Sequence, residues 1–191
     1  MASLIDDADS VLVVVDVQPG FLGKLEEAEA RQVEDRVRWV ARLASHLDVP
    51  IVVTEEAPDR NGVTSEVVTS SLPDGLPRHT KEAFGLASCP DIMSDLERHG
   101  RRTAVVCGLE TDVCVAQSAL GLREAGWRVV VIRDAVASPG SAHEQGLSRM
   151  RDAGIELIGT KGLAYEWLRT VERASLMDVW FGGDEPMGIT L

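Results

Sequence analysis

Two side chains in the sequence have the type and position that covalent chemistry requires. Cys114 follows an apolar run in the segment C-G-L-E-T-D-V-C-V, where Thr111 or Asp112 can cap a helix that begins there. The N–H groups and positive dipole end of a first helical turn stabilise a thiolate and make a cysteine nucleophilic. Asp16 comes late in the apolar run V-L-V-V-V-D-V, where an unpaired carboxylate is costly unless it faces a cleft or a cation. The pair predicts nucleophilic catalysis, although an inert thiol and a hydrogen-bonded strand end are equally good accounts.

The remaining thiols, histidines and lysines have weaker signals. Lys81, in P-R-H-T-K-E-A-F-G, is not distinguished locally from a solvated lysine. Cys107 lies inside a predicted strand and Cys89 lies beside a proline, so both are interpreted as packing or incidentally exposed thiols. Three cysteines without C-x-x-C spacing and four scattered histidines predict neither a disulfide framework nor a metal site. Glycine-rich nucleotide motifs are also missing from the sequence, so no cofactor is expected.

Short apolar segments predict the strands that must position these side chains. Each segment is continuously apolar, as in strands that are covered on both faces. Segments with apolar residues at helical spacing separate most of these predicted strands. Ser141 with Glu144 forms a capping box at the start of one predicted helix. The predicted strands span residues 11–17, 50–54, 103–107, 128–132 and 155–158, and the predicted helices include 91–99, 112–125, 142–153 and 162–173.

Strands that alternate with helices predict a doubly wound α/β sandwich, in which a parallel sheet lies between two layers of helices. The chain, residues 1–191, fits a single domain of this class. Ligands bind such sheets beyond the carboxyl ends of the strands. Asp16 and Cys114 both fall at such ends, which favours a functional role for them.

Two segments depart from the alternating pattern. Residues 55–80 are rich in Pro, Gly, Ser and Thr and contain no convincing helix, so they are interpreted as a binding loop or lid. The C-terminal tail, residues 175–191, carries Trp180, Phe181 and Met187. A frayed tail rarely has such residues, so it is expected to pack on its own domain or on a neighbouring subunit.

The composition excludes several classes of protein. A formal net charge of −12, from 19 basic and 31 acidic residues, opposes binding to nucleic acid or to anionic lipid. No apolar run approaches the roughly 18 residues of a membrane span, and the N-terminus has neither the basic flank nor the apolar core of a secretory signal. The expected protein is soluble and cytoplasmic, with a small-molecule substrate and no nucleic-acid or membrane partner.

Several motifs together make the sequence similar to the isochorismatase-like cysteine hydrolase superfamily. They are D-V-Q-P-G-F after the first predicted strand, K-E-A-F from Lys81, the stretch C-G-L-E-T-D-V-C-V-A-Q-S-A-L-G-L-R-E-A-G, and R-D-A-V-A-S. The resemblance covers most of the chain, from residue 11 to residue 173. It implies a catalytic triad of Asp16, Lys81 and Cys114.

The resemblance also implies how the triad is supported. A cis peptide bond is expected at Leu109–Glu110, and the backbone N–H groups of Glu110 and Cys114 are expected to form an oxyanion hole. Phe21 and Phe84 are candidates for lining the substrate pocket, although core packing accounts for each of them equally well.

The superfamily sheet implies a specific topology. It has six parallel strands in the order 3-2-1-4-5-6, which adds a short edge strand near residues 78–81 to those that the apolar pattern predicts. In this three-layer α/β/α sandwich, Asp16 and Cys114 follow adjacent strands where the winding reverses, which is where the crevice rule places a ligand.

One departure from the superfamily pattern concerns metal binding. Metal-dependent nicotinamidases carry an aspartate and two histidines after the second strand, whereas this region reads T-E-E-A-P-D-R-N-G and lacks the histidine pair. The sequence is therefore not expected to be a nicotinamidase of that type, and no metal is expected.

The leading functional hypothesis is a cysteine hydrolase that cleaves a C–N bond of a small amide or carbamoyl substrate through a thioester. One alternative is a vinyl-ether hydrolase of the isochorismatase type, and another is a non-catalytic domain that binds a metabolite or assembles with partners. The resemblance also implies a homo-oligomer, a dimer or larger.

Overall fold

Six strands form one parallel sheet in the computed structural model, which describes residues 3–186 and 188–190. Their order is third, second, first, fourth, fifth and sixth in chain numbering, which confirms the expected fold class. The strands are β1 (Ser10–Val15), β2 (Ile51–Glu56), β3 (Arg78–Lys81), β4 (Thr103–Leu109), β5 (Arg128–Ala137) and β6 (Glu156–Ile158).

Helices cover both faces of the sheet, because the strands are apolar on both sides. The principal helices are α2 (Glu27–His46), α5 (Pro90–Arg98), α6 (Ala116–Glu124), α7 (Ala142–Asp152) and α8 (Thr160–Leu168). Short helices are α1 (Pro19–Leu22), α3 (Pro58–Asn61), α4 (Glu66–Thr69), α9 (Val171–Ala174) and α10 (Leu176–Phe181). One core contains Trp39, Trp167 and Phe181 of α2, α8 and α10, and the other contains Leu96, Leu122 and Leu147 of α5, α6 and α7.

Three local predictions differ from the structure. β5 continues to Ala137 instead of ending at residue 132. Arg133 and Asp134 end the apolar run, but Val136 and Ala137 still pair with β4, and an apolar pattern does not show this pairing. The predicted helix 162–173 ends at Leu168, since Arg169 adopts a φ of 66° and a separate turn, α9, follows. The predicted capping box is wrong: the backbone of Ser141 is helical, and its hydroxyl accepts a hydrogen bond from Gln145 rather than capping the helix.

The region 55–80, predicted to lack helices, has more regular structure than expected. It contains α3 and α4, and it ends in the edge strand β3 that the resemblance implied. β2 extends two residues beyond its predicted end, through Glu55 and Glu56. Glu56 pairs in register with Lys81 of β3, which brings both residues to the carboxyl edge of the sheet.

The C-terminal segment packs on its own domain. The ring of Phe181 stacks on Trp39 of α2 with centroids 4.7 Å apart, and Trp180 stacks on His46 at the same separation. Met187, also predicted to pack, lies outside the described residues. Within residues 3–186 and 188–190, no helix combines the length and apolar character that crossing a membrane requires.

Candidate active site

The candidate site lies at the carboxyl edge of the two central strands. Asp16 directly follows β1 and adopts a φ of 49°. β4 pairs with β1 so that Gly108 lies beside Val15. Gly108 has a φ of 117°, and a Cβ there would lie 2.0 Å from the carbonyl oxygen of Val15, so only glycine permits this approach. The close pairing fixes the distance between Asp16 and the turn that follows β4.

Cys114 lies in that turn. The segment Thr111–Val115 forms a π-helical turn that leads directly into α6, so the thiol is at the start of a helical segment, as predicted. The peptide bond Leu109–Glu110 just before it is cis, which confirms that expectation. The carbonyl of Glu110 accepts hydrogen bonds from the N–H groups of Val113 and Val115, which hold the turn against the end of β4.

Asp16 and Lys81 form a buried ion pair. The Nζ atom of Lys81 lies 2.6 Å from Oδ2 of Asp16, and both side chains are 0% exposed. The hydroxyl of Thr54 donates to Oδ1 of Asp16 at 2.7 Å. Lys81 also donates to the carbonyl oxygens of Ala83 and Phe84, at 3.1 and 2.9 Å. All three amine hydrogens of Lys81 therefore have an acceptor, which fixes the ammonium in place.

The pKa of the Asp16 carboxyl is raised by burial, and Lys81, Thr54 and the Cys114 thiol oppose the shift only in part. The pKa of the Cys114 thiol is also raised. Burial is the largest cause, followed by the charge of Asp16 and by the hydrogen bond to Glu56, while Lys81 acts in the opposite direction. These effects oppose the stabilisation of a thiolate that is predicted for the helix start. The resting site favours a neutral thiol, because the surroundings exclude water and two carboxylates face the sulfur.

Glu56 is the site residue that sequence reasoning missed. Its Oε2 atom lies 2.9 Å from Sγ of Cys114, which donates a hydrogen bond to it, and 3.9 Å from Nζ of Lys81. The sequence contains a feature that points to it, because Glu55 and Glu56 directly follow an apolar run, as Asp16 does. The same crevice rule applied to the second strand would have selected this carboxylate.

Gln18 positions Glu56 through its backbone. The Oε1 atom of Gln18 accepts from the N–H of Glu56 at 2.7 Å, and its Nε2 donates to the carbonyl of Glu56 at 3.0 Å. Asn61 donates to the same carbonyl at 2.9 Å. Gln18 is fully buried and comes from the D-V-Q-P-G motif after β1, so one motif positions both Asp16 and Glu56.

At this site the ammonium of Lys81 would compete with a metal ion for the same carboxylates. Carboxylate oxygens of Asp16 and Glu56 and the sulfur of Cys114 lie within 4.8 Å of one another, which is close enough to share an ion. The Lys81 ammonium already lies near both carboxylates, at 2.6 and 3.9 Å, and supplies positive charge there. The donor set therefore fits a protonated lysine better than a metal ion.

The two candidate pocket rings lie in different environments. Phe21 is buried in the core next to the site, and the ammonium of Lys24 lies 4.7 Å from its ring centroid while pairing with Glu110 at 3.1 Å. Phe84 is 53% exposed and lines a surface groove with Gln117 and neighbouring residues. The backbone carbonyl of Phe84 accepts a hydrogen bond from Lys81 of the triad. A pocket role for either ring stays a prediction.

Comparison with known proteins gives a consistent family assignment. The family model described as "Isochorismatase domain" matches residues 10–162. The "Isochorismatase domain-containing protein 2" of Bos taurus is 32% identical over 159 residues, which cover 82% of this chain and 74% of that protein.

Two solved structures are similar along almost the whole chain. One is the YcaC gene product of Escherichia coli, described as an octameric hydrolase of unknown specificity, with a TM-score of 0.87, 24% identity and coverage of 97% of this chain and 93% of that one. The other is YcaC from Pseudomonas aeruginosa, described with hexane-2,5-diol and covalent acrylamide, with a TM-score of 0.88, 23% identity and coverage of 97% and 94%. At these identities the two structures establish the shared fold.

Proposed function

The chain belongs to the isochorismatase domain family, and we propose that it is a cysteine hydrolase that cleaves a C–N bond of a small amide or carbamoyl substrate. One observation carries the proposal: the thiol of Cys114 lies against carboxylates and next to the buried pair of Asp16 and Lys81. A nucleophile, a proton acceptor and a fixed cation within contact of one another are the parts that covalent acyl transfer needs.

The reaction that these parts support is a thiol attack on a carbonyl carbon. As the S–C bond forms, the thiol proton moves to a carboxylate, which the family resemblance identifies as Asp16, and the carbonyl electrons move to the oxygen. The N–H groups of Glu110 and Cys114 are the proposed donors to that oxyanion, and removing one such donor typically costs about 3 kcal/mol of transition-state stabilisation. The C–N bond then breaks as the amine takes the proton, and water hydrolyses the thioester.

Lys81 has an electrostatic role in this proposal. Its ammonium lowers the pKa of both Asp16 and Cys114, against the effect of burial. Because its three donors are satisfied by Asp16 and two backbone carbonyls, it stays in place while the proton moves. It thereby stabilises the anionic forms that the attack creates without itself contacting the substrate carbonyl.

Substitution of the nucleophile tests the proposal. We expect Cys114→Ala to abolish turnover of a panel of small primary amides and carbamoyl compounds while the protein stays folded. Cys89→Ala, which changes a half-buried thiol in another connection, serves as the matched control and should retain activity. Full activity of Cys114→Ala with isochorismate would instead favour vinyl-ether hydrolysis, in which Asp16 protonates the substrate or activates water.

Covalent labelling separates an enzyme from a binding domain. By analogy with the Pseudomonas protein described with covalent acrylamide, we expect acrylamide to alkylate Cys114 in preference to Cys107, which is fully buried in β4. Labelling together with turnover of any amide in the panel supports the hydrolase. An unreactive Cys114 and an inactive wild-type protein would favour a metabolite-binding or assembly domain.

We also propose a cytoplasmic homo-oligomer. Val171 and Val179, on the short C-terminal helices, are 89% and 78% exposed, and large apolar side chains at such positions favour burial by a neighbouring copy. The E. coli protein of similar fold is described as octameric. Light scattering after size-exclusion chromatography tests this, and a monomer at all concentrations would contradict it.

A further inference from the structure

We propose that Glu56 determines which substrates this site accepts. Its carboxylate receives an N–H of the substrate, and its negative charge repels molecules that carry a carboxylate close to the scissile bond. This role rests on the proposed cysteine hydrolase function and leaves Asp16 as the proton acceptor. It narrows the substrate class to neutral primary amides and carbamoyl compounds.

Glu56 is the most exposed of the four polar side chains that meet at the site. The side chains of Asp16 and Lys81 are 0% exposed, and Cys114 is 1% exposed, whereas the side chain of Glu56 is 14% exposed. Its Oε2 atom lies 2.9 Å from Sγ of Cys114. A carbonyl group that comes into reach of this sulfur therefore also comes into reach of the Glu56 carboxylate.

Glu56 has hydrogen-bonding capacity left for a substrate. Its Oε2 atom accepts from the thiol of Cys114, while none of the described residues donates a hydrogen bond to its Oε1 atom. A carboxylate only accepts hydrogen bonds, so its natural partner is a donor such as the N–H of an amide or carbamoyl group. A vinyl ether has no N–H at the reacting bond and would leave this oxygen without a partner once water is excluded.

The charges around the sulfur disfavour an anionic substrate. Among the described residues, Lys81 is the one basic side chain within ion-pair distance of Asp16 or Glu56. Its three donors are already used by Asp16 and two backbone carbonyls, so it cannot also bind a substrate carboxylate. Two carboxylates and one ammonium leave one negative charge, which weighs against isochorismate, a dicarboxylate, as the substrate.

The fold holds Glu56 where it must meet the substrate. Gln18 accepts from the backbone N–H of Glu56 at 2.7 Å and donates to its carbonyl at 3.0 Å, and Asn61 donates to the same carbonyl at 2.9 Å. These three bonds fix the backbone from which the carboxylate extends. The negative charge therefore stays at the site rather than moving aside for an anionic ligand.

Two alkylating reagents of nearly equal size test the charge preference. Iodoacetamide is neutral and has an NH2 group, whereas iodoacetate carries a carboxylate in its place. Each forms an S–C bond with Cys114 as the C–I bond breaks and iodide leaves. Because both react with the same sulfur, any effect of Glu56 on the pKa of the thiol cancels in the ratio of the two rates.

We expect the rate ratio of iodoacetamide to iodoacetate at Cys114 to exceed that of N-acetylcysteinamide, a small neutral thiol, about 10- to 100-fold, as like charges a few ångströms apart produce. Mass spectrometry of the peptide that contains Cys114 measures both rates. Glu56→Gln should lose most of this excess. Glu82→Gln makes the same chemical change at an exposed glutamate next to Lys81 and should keep it.

Turnover of matched amides gives a second measurement. Propionamide is neutral, and succinamate is a primary amide that carries a carboxylate, so the wild type should prefer propionamide in kcat/KM and Glu56→Gln should reduce that preference. Glu56→Leu removes the acceptor as well as the charge, and it should raise the KM for propionamide about 10-fold. Glu56→Gln keeps an acceptor oxygen and should change that KM less.

The outcomes separate this role from the function on which it rests. A wild-type alkylation ratio equal to that of the small thiol, or an unchanged ratio in folded Glu56→Gln, overturns the role of Glu56, while amide turnover that depends on Cys114 leaves the hydrolase proposal intact. If Glu56→Gln does not fold, equal kcat/KM of the wild type for propionamide and succinamate overturns the role instead. A wild type that hydrolyses isochorismate and no amide overturns both.

Discussion

Replacement of Lys81 by methionine isolates the contribution of the buried ion pair. Methionine keeps the length of the side chain but removes the ammonium that lies 2.6 Å from Asp16. The partner carboxylate then keeps the hydroxyl of Thr54 and the thiol of Cys114, both neutral groups, in a site that has no exposure to water. Breaking one side of a fully buried ion pair costs about 3–5 kcal/mol, and this sets the expected loss in the free energy of unfolding near neutral pH.

The pH dependence of that loss has a definite sign. Without Lys81, burial raises the pKa of Asp16 further above its unfolded value of 3.8 than it does in the wild type. Below that value both states hold the proton. Above it the unfolded chain releases the proton while the folded chain keeps it, so stability falls by up to about 1.4 kcal/mol per pH unit until the folded pKa is reached. The difference between wild type and variant should therefore grow as the pH rises.

Urea unfolding followed by circular dichroism, at about pH 5 and about pH 8, measures this difference. Lys24→Met is the matched control, because Lys24 is half exposed and its pair with Glu110 should contribute less than about 1 kcal/mol. A Lys81→Met loss that is equal at both pH values, or no larger than that of the control, would refute the reasoning.

Three further outcomes are expected. Gly108→Ala should prevent folding, because its Cβ would lie 2.0 Å from a carbonyl oxygen of β1, whereas Gly126→Ala, with open space around it, should cost only about 1 kcal/mol in thermal or urea unfolding. Phe181→Ala should lose about 3–5 kcal/mol of stability because the ring is buried against α2, whereas Val63→Ala, at a residue that is 59% exposed, should stay within about 0.5 kcal/mol. Asp16→Asn should lose most amide turnover in steady-state assays, and full activity would contradict its place in the triad.

The fold was predictable where the strands are apolar on both faces. β1, β2 and β4 each contain two or more consecutive valines, and burial of both faces produces that pattern. The edge strand β3 has the sequence R-H-T-K and is mostly exposed, so no hydrophobic pattern marks it. Only the resemblance to a known family supplied that strand and, with it, the place of Lys81.

The polar end of β5 was hidden for a related reason. Arg133 and Asp134 interrupt the apolar run, yet the strand continues through them to Ala137. Asp134 accepts hydrogen bonds from the N–H and hydroxyl of Thr160 at the start of α8, and its carbonyl accepts from Arg36 of α2. These contacts are long-range, so a pattern read along the chain does not contain them.

Some residues of the candidate site could be predicted from the sequence, and others could not. Asp16 and Cys114 could be selected from sequence because each follows an apolar strand at the edge where ligands bind. Glu56 resembled a solvated residue at the end of a strand, and its contact with the sulfur depends on two extra residues of β2 and on the amide of Gln18. Sequence pattern gives the edge of the sheet, but the distance between two side chains at that edge requires the structure.

The charge state of the sulfur depends on magnitudes that the sequence does not contain. A helix start stabilises a nearby anion by about 0.3–1 kcal/mol, whereas full burial can shift the pKa of a group by about 3–5 units, each unit being about 1.4 kcal/mol. Two carboxylates and one ammonium already surround Cys114, so an ionised thiol would add a further negative charge that nothing balances. Burial and charge therefore oppose the effect of the helix start, and in the proposed mechanism the proton leaves the sulfur as the substrate bond forms. A site built this way protects its thiol at rest and makes its reactivity depend on an acceptor for that proton.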